Sequence, residues 1–244
     1  ASSVHSLGRE GKKILDNARQ KIAKSFGAEG QTIIFTSSGT ESNLHALKAM
    51  KFDKIITTAA EHVSVLTPAQ NMASEIIKVD ENGIIKLQEL EERLAKLCYE
   101  EQQKSRPKIL VSVIYANNET GAINDIKKVS EIVFKYGAYL HVDASQAAGK
   151  IKLDFSSCGA DMMTVSSHKI GGPKGVAALM VKSGLEVEPL FTGGGQEKSL
   201  KAGTENLASI AGFAMAAEES VKNLHEYIEN TKNIQWFLEA EIKA

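Results

Sequence analysis

The stretch ILVSVI, residues 109–114, decides the fold class, because five of its six side chains are apolar and most of them are β-branched. An apolar run without alternation predicts a strand that is buried on both faces, as in a mainly parallel sheet. Other strand-like segments alternate along the chain with segments whose apolar residues recur every three to four positions, the spacing of an amphipathic helix. The alternation predicts an α/β fold of three layers, in which helices cover both faces of a mainly parallel central sheet.

The predicted elements follow from these patterns. Strands are predicted at 32–36, 54–58, 75–79, 108–115, 139–142, 161–165 and 175–181, and helices at 41–51, 87–102 and 125–135. A further helix near the start presents an inward face, which Gly27 ends, made of Ile14, Leu15, Ala18, Ile22 and Phe26. From about Asn206 to Ala244 the chain is predicted to form one long helix. We therefore divide it into a large domain at 1–205 and a long helix at 206–244.

Composition excludes several classes of function. The 244 residues carry 29 basic and 30 acidic side chains, so no net charge favours nucleic acid or an anionic membrane surface. No apolar run approaches the roughly 18 residues that span a bilayer. The two cysteines, Cys98 and Cys158, are too few for a disulfide scaffold or a four-thiolate zinc site. A reducing cytoplasm is the expected location.

Lys169 follows a predicted strand in the motif SSHK (166–169) and precedes a glycine-rich stretch. A lysine amine held at the end of a strand can form a Schiff base with an aldehyde. Taken alone, the motif equally fits a solvated lysine in a glycine-rich turn.

Asp143 is a second residue that supports a cofactor-binding role for Lys169. It ends the predicted strand at 139–142, at the sheet edge where ligands of open α/β sheets bind. A carboxylate there could pair with a protonated pyridine nitrogen, and the combination of a lysine Schiff base with such a carboxylate is typical of pyridoxal phosphate (PLP) sites. A helix N-cap, or a metal site shared with His141, remains an alternative for Asp143. No third ligand stands at a recognisable spacing, so we predict no metal.

Two polar loops lead into helices and could bind an anion. The stretch TSSGTES (36–42) offers backbone N–H groups and hydroxyls suited to a phosphate ester, although it also fits plain helix capping. The second loop spans 192–206. Neither matches the Walker A or dinucleotide-binding pattern, which disfavours nucleotide binding.

Eight short motifs together resemble the cysteine desulfurases, which belong to the class V aminotransferase group of fold-type I PLP enzymes. The motifs are SSGTESN (37–43), EH (61–62), ANNETG (116–121), HVDASQ (141–146), SSHK (166–169), GPKG (172–175), GGGQE (193–197) and AGTEN (202–206). They occur in the order of the family over nearly the whole chain.

The resemblance implies a role for each matching residue. Lys169 would bind the cofactor covalently and later move the α-proton of the substrate, and His62 would stack on the pyridine ring, with helix capping as the alternative for His62. Asp143 would pair with the ring nitrogen, and Gln146 and Asn118 would lie near the phenolic oxygen of the ring.

The resemblance also implies which residues hold the phosphate, namely Gly39, Thr40, Ser166 and His168. Thr204 resembles the residue that reaches the phosphate of a neighbouring subunit, which implies a homodimer. The remaining histidines at 5, 45, 141 and 225 receive no catalytic role.

The implied activity is removal of sulfur from L-cysteine, which gives L-alanine and an enzyme persulfide for iron–sulfur cluster assembly or another sulfur acceptor. This chemistry requires a reactive, mobile cysteine thiolate. Neither Cys98 nor Cys158 matches the family's nucleophile, and both are predicted to be packing residues. We expect the nucleophile to belong to a small C-terminal domain that these 244 residues lack, together with the family's N-terminal segment. The chain is then expected to bind PLP, weakly or in a dimer, without completing desulfuration alone.

Two alternatives remain open at this point. Another class V enzyme, such as a selenocysteine lyase or an aminotransferase, would share the same motifs. An inactive domain that binds only a partner would keep the fold without binding PLP through Lys169. The PLP-dependent interpretations rest on one geometric expectation, that Lys169 and Asp143 converge on opposite sides of a single cofactor.

Overall fold

The structure is a computed structural model that describes residues 5–100 and 107–243. Its helices are α1 Ser6–Ser25, α2 Gly39–Lys48, α3 Val63–Gln70, α4 Leu87–Glu100, α5 Ile126–Lys135, α6 Phe155–Cys158, α7 Leu207–Lys222 and α8 Leu224–Lys243. Its strands are β1 Thr32–Thr36, β2 Lys54–Thr58, β3 Ser74–Ile77, β4 Ile109–Ile114, β5 Tyr139–Asp143, β6 Met162–Ser166 and β7 Ala177–Val181. Short 3₁₀ turns lie at Ser167–Ile170 and Gln196–Ser199.

The seven strands form one sheet in the order β1-β7-β6-β5-β4-β2-β3. Neighbouring strands from β3 to β6 are parallel, and β7 is antiparallel to both β6 and β1. The predicted α/β fold with a mainly parallel sheet is therefore confirmed. All six residues of β4 are buried, as expected for a central strand with helices on both faces.

Apolar packing covers both faces of the sheet. One face packs against α1, α4, α5 and α7 in the larger core cluster, and the other packs against α2 and α3 in a smaller cluster. Gly27 ends α1 with a φ of +62°, and a Cβ at this position would lie 2.5 Å from Asp154 Oδ1. Only glycine fits such a left-handed and crowded position, which confirms Gly27 as the predicted stop.

Several predicted boundaries differ from the structure. Ile14, predicted to face inward, is 46% exposed, whereas Leu15, Ala18, Ile22 and Phe26 are buried. The region after Asn206 contains two helices rather than one, because Asn223 ends α7 as a C-cap whose N–H bonds to Glu219 O. The predicted helix end at residue 102 and the chain end at residue 244 lie outside the described residues.

The sequence prediction also omitted α3, which lies between β2 and β3. Val63, Val65 and Pro68 within α3 are poor helix formers, so helix propensity gave no signal there. None of the helices within the described residues is long and apolar enough to cross a membrane.

Candidate active site

A cavity of about 190 Å³ lies at the carboxyl edge of the sheet, where the chain leaves β1, β2, β4, β5 and β6. Open α/β sheets bind ligands at this edge. Nine of the ten predicted site residues line it: Gly39, Thr40, His62, Asn118, Asp143, Gln146, Ser166, His168 and Lys169. The structure thus brings Lys169 and Asp143 to one cavity, while their roles toward a cofactor stay predictions.

One end of the cavity is built to receive an anion. α2 begins here, and Ser38 caps it by accepting a hydrogen bond from the Glu41 N–H at 3.2 Å. Glu41 in turn accepts a hydrogen bond from the Ser37 N–H at 2.8 Å, so the capping interactions leave the N–H groups of Gly39 and Thr40 for a ligand. Exposed N–H groups at a helix N-terminus bind phosphate readily.

The side chains opposite α2 complete this anion cradle. The hydroxyl of Ser166 lies 3.0 Å from Nδ1 of His168, and both side chains line the cavity. A Cβ on Gly39 would lie 3.4 Å from the Ser145 hydroxyl and 3.5 Å from Cβ of Ser166, so glycine at residue 39 leaves this space open. Burial, and then the charges of Lys169 and Lys174, lower the pKa of His168.

The other end of the cavity presents a buried carboxylate. Asp143 ends β5 and is 3% exposed. Its Oδ1 accepts the N–H of Ser145 at 3.0 Å, and its Oδ2 accepts Nδ2 of Asn43 at 2.7 Å. The helix N-cap that was left open as an alternative for Asp143 is not formed, because residues 145–150 make turns rather than a helix. Each carboxylate oxygen accepts one hydrogen bond and keeps a second lone pair, so Asp143 can hold the turn and also face a ligand.

His62 lies on the cavity wall at the start of α3. Its Nδ1 accepts the N–H of Ser64 at 3.1 Å and lies 2.7 Å from the Ser64 hydroxyl. The capping role that the sequence left open is thus present, and it fixes the imidazole beside the cavity. Capping and ring stacking are compatible roles for His62.

Lys169 extends from the 3₁₀ turn that follows β6, and Gly171 ends this turn with a φ of +82°. Lys169 lines the cavity on one side and an open groove between this turn and α7 on the other. A second lysine, Lys150, shares that groove and donates a hydrogen bond to Oε1 of Gln146. Because the lysine ammonium only donates, Gln146 keeps its amide N–H₂ available to the cavity. Burial, and then the charge of Lys169, lower the pKa of Lys150.

Glu61 is a buried carboxyl beside this site. Its Oε1 accepts hydrogen bonds from the Thr58 hydroxyl at 2.7 Å and the Ile114 N–H at 2.9 Å, which joins the ends of β2 and β4. Its Oε2 is buried and has no hydrogen-bond partner among the described residues. Burial raises the pKa of Glu61 to about 8, so the carboxyl is mainly protonated at neutral pH.

The structure places His141 beneath the cavity rather than on its wall. Its Nδ1 lies 2.9 Å from the Ser112 hydroxyl and its Nε2 lies 3.1 Å from the Thr164 hydroxyl. Burial lowers the pKa of His141 to about 4, so the ring is neutral. Both ring nitrogens are engaged, which leaves none to share a metal with Asp143. Across the described ranges, no three His, Cys, Asp or Glu side chains group as metal ligands.

Thr204 is the predicted site residue that lies apart from the others. It is exposed and lines a neighbouring cavity with Lys201 and Glu197 rather than the cavity that contains Lys169. Lys201 pairs with Glu41 at 3.7 Å, which connects this loop to the first turn of α2. The prediction that Thr204 serves a neighbouring subunit stays a prediction.

Neither cysteine lies on the cavity wall. The Cys98 thiol faces the carbonyl oxygen of Tyr136 at 3.8 Å, and the Cys158 thiol faces that of Phe155 at 3.3 Å. Both are half-buried against the larger core cluster. Burial raises the pKa of the Cys158 thiol, which is the opposite of the change that activates a nucleophilic cysteine.

Sequence reasoning gave no role to Asn43, Ser64 or Lys150. Asn43 could have been noticed, since it follows Gly39 by four residues and therefore shares its helix face. Ser64 belongs to the helix that was not predicted, and the contact of Lys150 with Gln146 depends on how the chain turns after β5.

The three-layer fold and the cavity that contains Lys169 and Asp143 identify an α/β protein whose ligand site lies at the carboxyl edge of the sheet. Residues 1–242 match the Aminotransferase class-V family, and the chain belongs to that family. It is 38% identical to the cysteine desulfurase IscS of Dictyoglomus turgidum over 99% of this chain and 62% of that relative. It is also 42% identical to the cysteine desulfurase IscS 1 of Archaeoglobus fulgidus, covering 92% of this chain and 59% of that one.

A solved structure shares the same fold. The X-ray structure of the NifS-like protein from Rickettsia africae superimposes with a TM-score of 0.91 and 39% identity, over 99% of this chain and 67% of that protein. The chain therefore spans about 60% of the length of the curated relatives, since it covers 62% and 59% of the two IscS proteins.

Proposed function

We propose that this chain forms the PLP-binding part of a cysteine desulfurase, an enzyme that takes the sulfur of L-cysteine and leaves L-alanine. The observation that carries the proposal is the shared cavity of Lys169 and Asp143, in a chain of the class V family whose relatives are named cysteine desulfurases. The class uses PLP, and the residues present suit that cofactor.

The two ends of the cavity suit the two ends of PLP. The α2 N-terminus, with Ser166 and His168, suits the phosphate ester, and the buried Asp143 carboxylate suits a protonated ring nitrogen. Lys169 lines the same cavity and would bind the aldehyde carbon through its amine. When bound, PLP supplies an electron sink that draws electrons away from Cα of an amino acid.

The protein side chains would then bind the ring, orient it and move protons. Asp143 would hold a proton on the ring nitrogen, and His62 would stack on the ring. The N–H₂ of Gln146, together with Asn118, would contact the phenolic oxygen. Nζ of Lys169 would take the proton from Cα of the substrate and return it, which is the general acid–base role of a lysine amine near a reacting carbon.

Sulfur transfer needs a thiolate that attacks the substrate sulfur while the C–S bond breaks and Cβ gains a proton. We do not assign this role to Cys98 or Cys158, because both thiols face backbone carbonyls away from the cavity. The persulfide would pass to a sulfur acceptor or to an iron–sulfur scaffold protein. A homodimer in which Thr204 serves the second copy, and a location in the reducing cytoplasm that suits two free thiols, belong to the same proposal.

The experiment that tests the cofactor site compares three proteins after addition of PLP. The wild type is expected to develop the visible absorption band of lysine-bound PLP, and Lys169→Ala is expected to lose it. Lys182→Ala is the matched control, because Lys182 follows β7 at the opposite edge of the sheet and pairs with Asp161 at 3.2 Å. An identical band in Lys169→Ala and the wild type would show that another amine binds the cofactor and would overturn the role of Lys169.

A further inference from the structure

A single hydrogen-bond network joins the two groups that flank the cavity, Asp143 and His62. Nδ2 of Asn43 donates to Oδ2 of Asp143 at 2.7 Å and to the hydroxyl of Ser64 at 2.9 Å. The Ser64 hydroxyl lies 2.7 Å from Nδ1 of His62, which also accepts the Ser64 N–H at 3.1 Å. Asn43 thus connects β5 with the start of α3 across the floor of the cavity.

Hydrogen-bonding capacity fixes the direction of every bond in this network. The Asp143 carboxylate only accepts, so the amide of Asn43 must present its nitrogen there. Both hydrogens of Nδ2 are then used, one for Asp143 and one for Ser64. The Ser64 oxygen accepts one of them, and its own hydrogen is left to donate to His62. The one lone pair of His62 Nδ1 is shared by the Ser64 hydroxyl and the Ser64 N–H, and because the N–H can only donate, Nδ1 carries no hydrogen and the hydrogen of the neutral ring lies on Nε2.

Because the polar groups of this network are buried, breaking one of their hydrogen bonds costs free energy. Asn43 is 1% exposed, Asp143 is 3% exposed and Ser64 is 6% exposed. Losing one bond leaves a buried polar group without a partner, and buried networks hold their geometry for this reason. α2, which carries Asn43, also packs directly against α3, which carries Ser64.

We propose that Asn43 is a positioning residue that orients the Asp143 carboxylate and directs the Ser64 hydroxyl at Nδ1 of His62. The two groups expected to contact the cofactor ring are therefore set by one amide. The inference rests on the proposed function for the identity of the ligand, while the hydrogen bond from the hydroxyl to Nδ1 is a property of the protein itself.

Nitrogen NMR of the histidine rings in the cofactor-free protein tests the tautomer directly, at alkaline pH where histidine is neutral. The wild type is expected to show His62 with its hydrogen on Nε2, and His62→Gln assigns the signal among the six histidines. Asn43→Asp replaces the donor with an acceptor, so the Ser64 hydroxyl donates to residue 43 instead of Nδ1 of His62. The Ser64 N–H keeps the hydrogen of His62 on Nε2, and the Nδ1 resonance is expected to move toward that of a more weakly hydrogen-bonded nitrogen. Asn71→Asp, the same change at an exposed asparagine after α3, is expected to leave the His62 signal unchanged.

PLP titration followed by the visible band is the second readout. Asn43→Asp is expected to weaken PLP binding by about 10- to 100-fold, the usual consequence of losing a hydrogen bond to a charged group. Ser64→Ala keeps the bond between Asn43 and Asp143, so it should shift the Nδ1 resonance of His62 in the same direction with a smaller loss of affinity. If Asn43→Asp does not fold, Ser64→Ala still decides whether the Ser64 hydroxyl binds Nδ1.

The outcomes separate this inference from the proposed function. An unchanged Nδ1 resonance of His62 in both Asn43→Asp and Ser64→Ala would overturn the inference, whatever the affinity for PLP. Failure of the wild type to bind PLP at all would instead overturn the proposed function, and the NMR comparison would still decide the role of Asn43.

Discussion

At the scale of single residues, Glu61 belongs both to the carboxyl edge of the sheet and to the surroundings of the cavity. Its carboxyl joins the ends of β2 and β4 through Thr58 and Ile114, one residue before His62. Asp143 adds negative charge nearby and raises the pKa of Glu61 further, after the larger effect of burial.

Glu61 also predicts a pH dependence of stability. Because burial raises its pKa from 4.5 to about 8, the native protein keeps a proton that the unfolded chain releases between these values. The free energy of unfolding should therefore fall as the pH rises from about 4.5 to about 8, by roughly 1.4 kcal/mol for each unit of pKa difference. Urea unfolding at several pH values measures this slope. Glu61→Gln should reduce it, and Glu29→Gln, a change at an exposed site, should not. Equal slopes in Glu61→Gln and the wild type would contradict the assignment.

At the scale of elements, an ion pair with α1 holds the loop at 192–206 against β1. Nη1 and Nη2 of Arg19 in α1 lie 2.9 Å and 3.0 Å from the two carboxylate oxygens of Glu197. Glu197 also accepts the Phe35 N–H of β1 at 2.8 Å. Glu197, Lys198 and Ser199 have φ values of 47°, 58° and 66°, so three consecutive residues other than glycine adopt the left-handed conformation. The ion pair holds a strained loop in place.

Removing Arg19 should cost roughly 3–5 kcal/mol of unfolding free energy, because the charge of Glu197 stays buried without its partner, and removing Glu197 should cost less because Arg19 is partly exposed. Arg19→Met and Glu197→Gln test this by urea unfolding, and the double variant should lose less than the sum of the two losses. The more exposed pair of Lys21 and Glu218 is the matched control between α1 and α7, and Glu218→Gln should change stability by less than about 1 kcal/mol. Additive losses in the double variant would show that Arg19 and Glu197 stabilise the protein independently.

The elements also show what the sequence could predict. Buried strands such as β4 carry long runs of β-branched residues, so strand positions and the parallel sheet could be predicted from local composition. Following each strand to its end located Asp143 and Lys169, because parallel strands share one functional edge. The bonds of Asn43 join residues that are 21 and 100 positions away in the chain, and no local pattern indicates them. α3 was not predicted because Pro68 and the valines disfavour a helix, and packing against α2 overcomes this preference.

At the scale of the whole molecule, α8 differs from every other long helix that the structure describes. None of its residues is buried, and Ile234, Trp236 and Ile242 are 68%, 75% and 75% exposed. The core that stabilises the fold therefore lies within the sheet, the helices that cover it and α7, which packs against α1.

The exposure of α8 predicts the fluorescence of Trp236, the only tryptophan of the chain. Its emission should be that of an indole in water, and acrylamide should quench it efficiently. Phe237→Gln, a change on the same helix, should alter the free energy of unfolding by no more than about 0.5 kcal/mol, because this side chain is 62% exposed. Blue-shifted emission that resists quenching would show that this surface is covered in solution.

Lys169 is part of the wall between two spaces, the cavity at the sheet edge and the groove beside α7. Whatever molecule fills the first space, the groove keeps one flank of the lysine open to bulk solvent. Under the proposed function, hydrogen isotopes from bulk water would reach the amine through this groove and label Cα of a bound substrate even while the cavity is fully occupied.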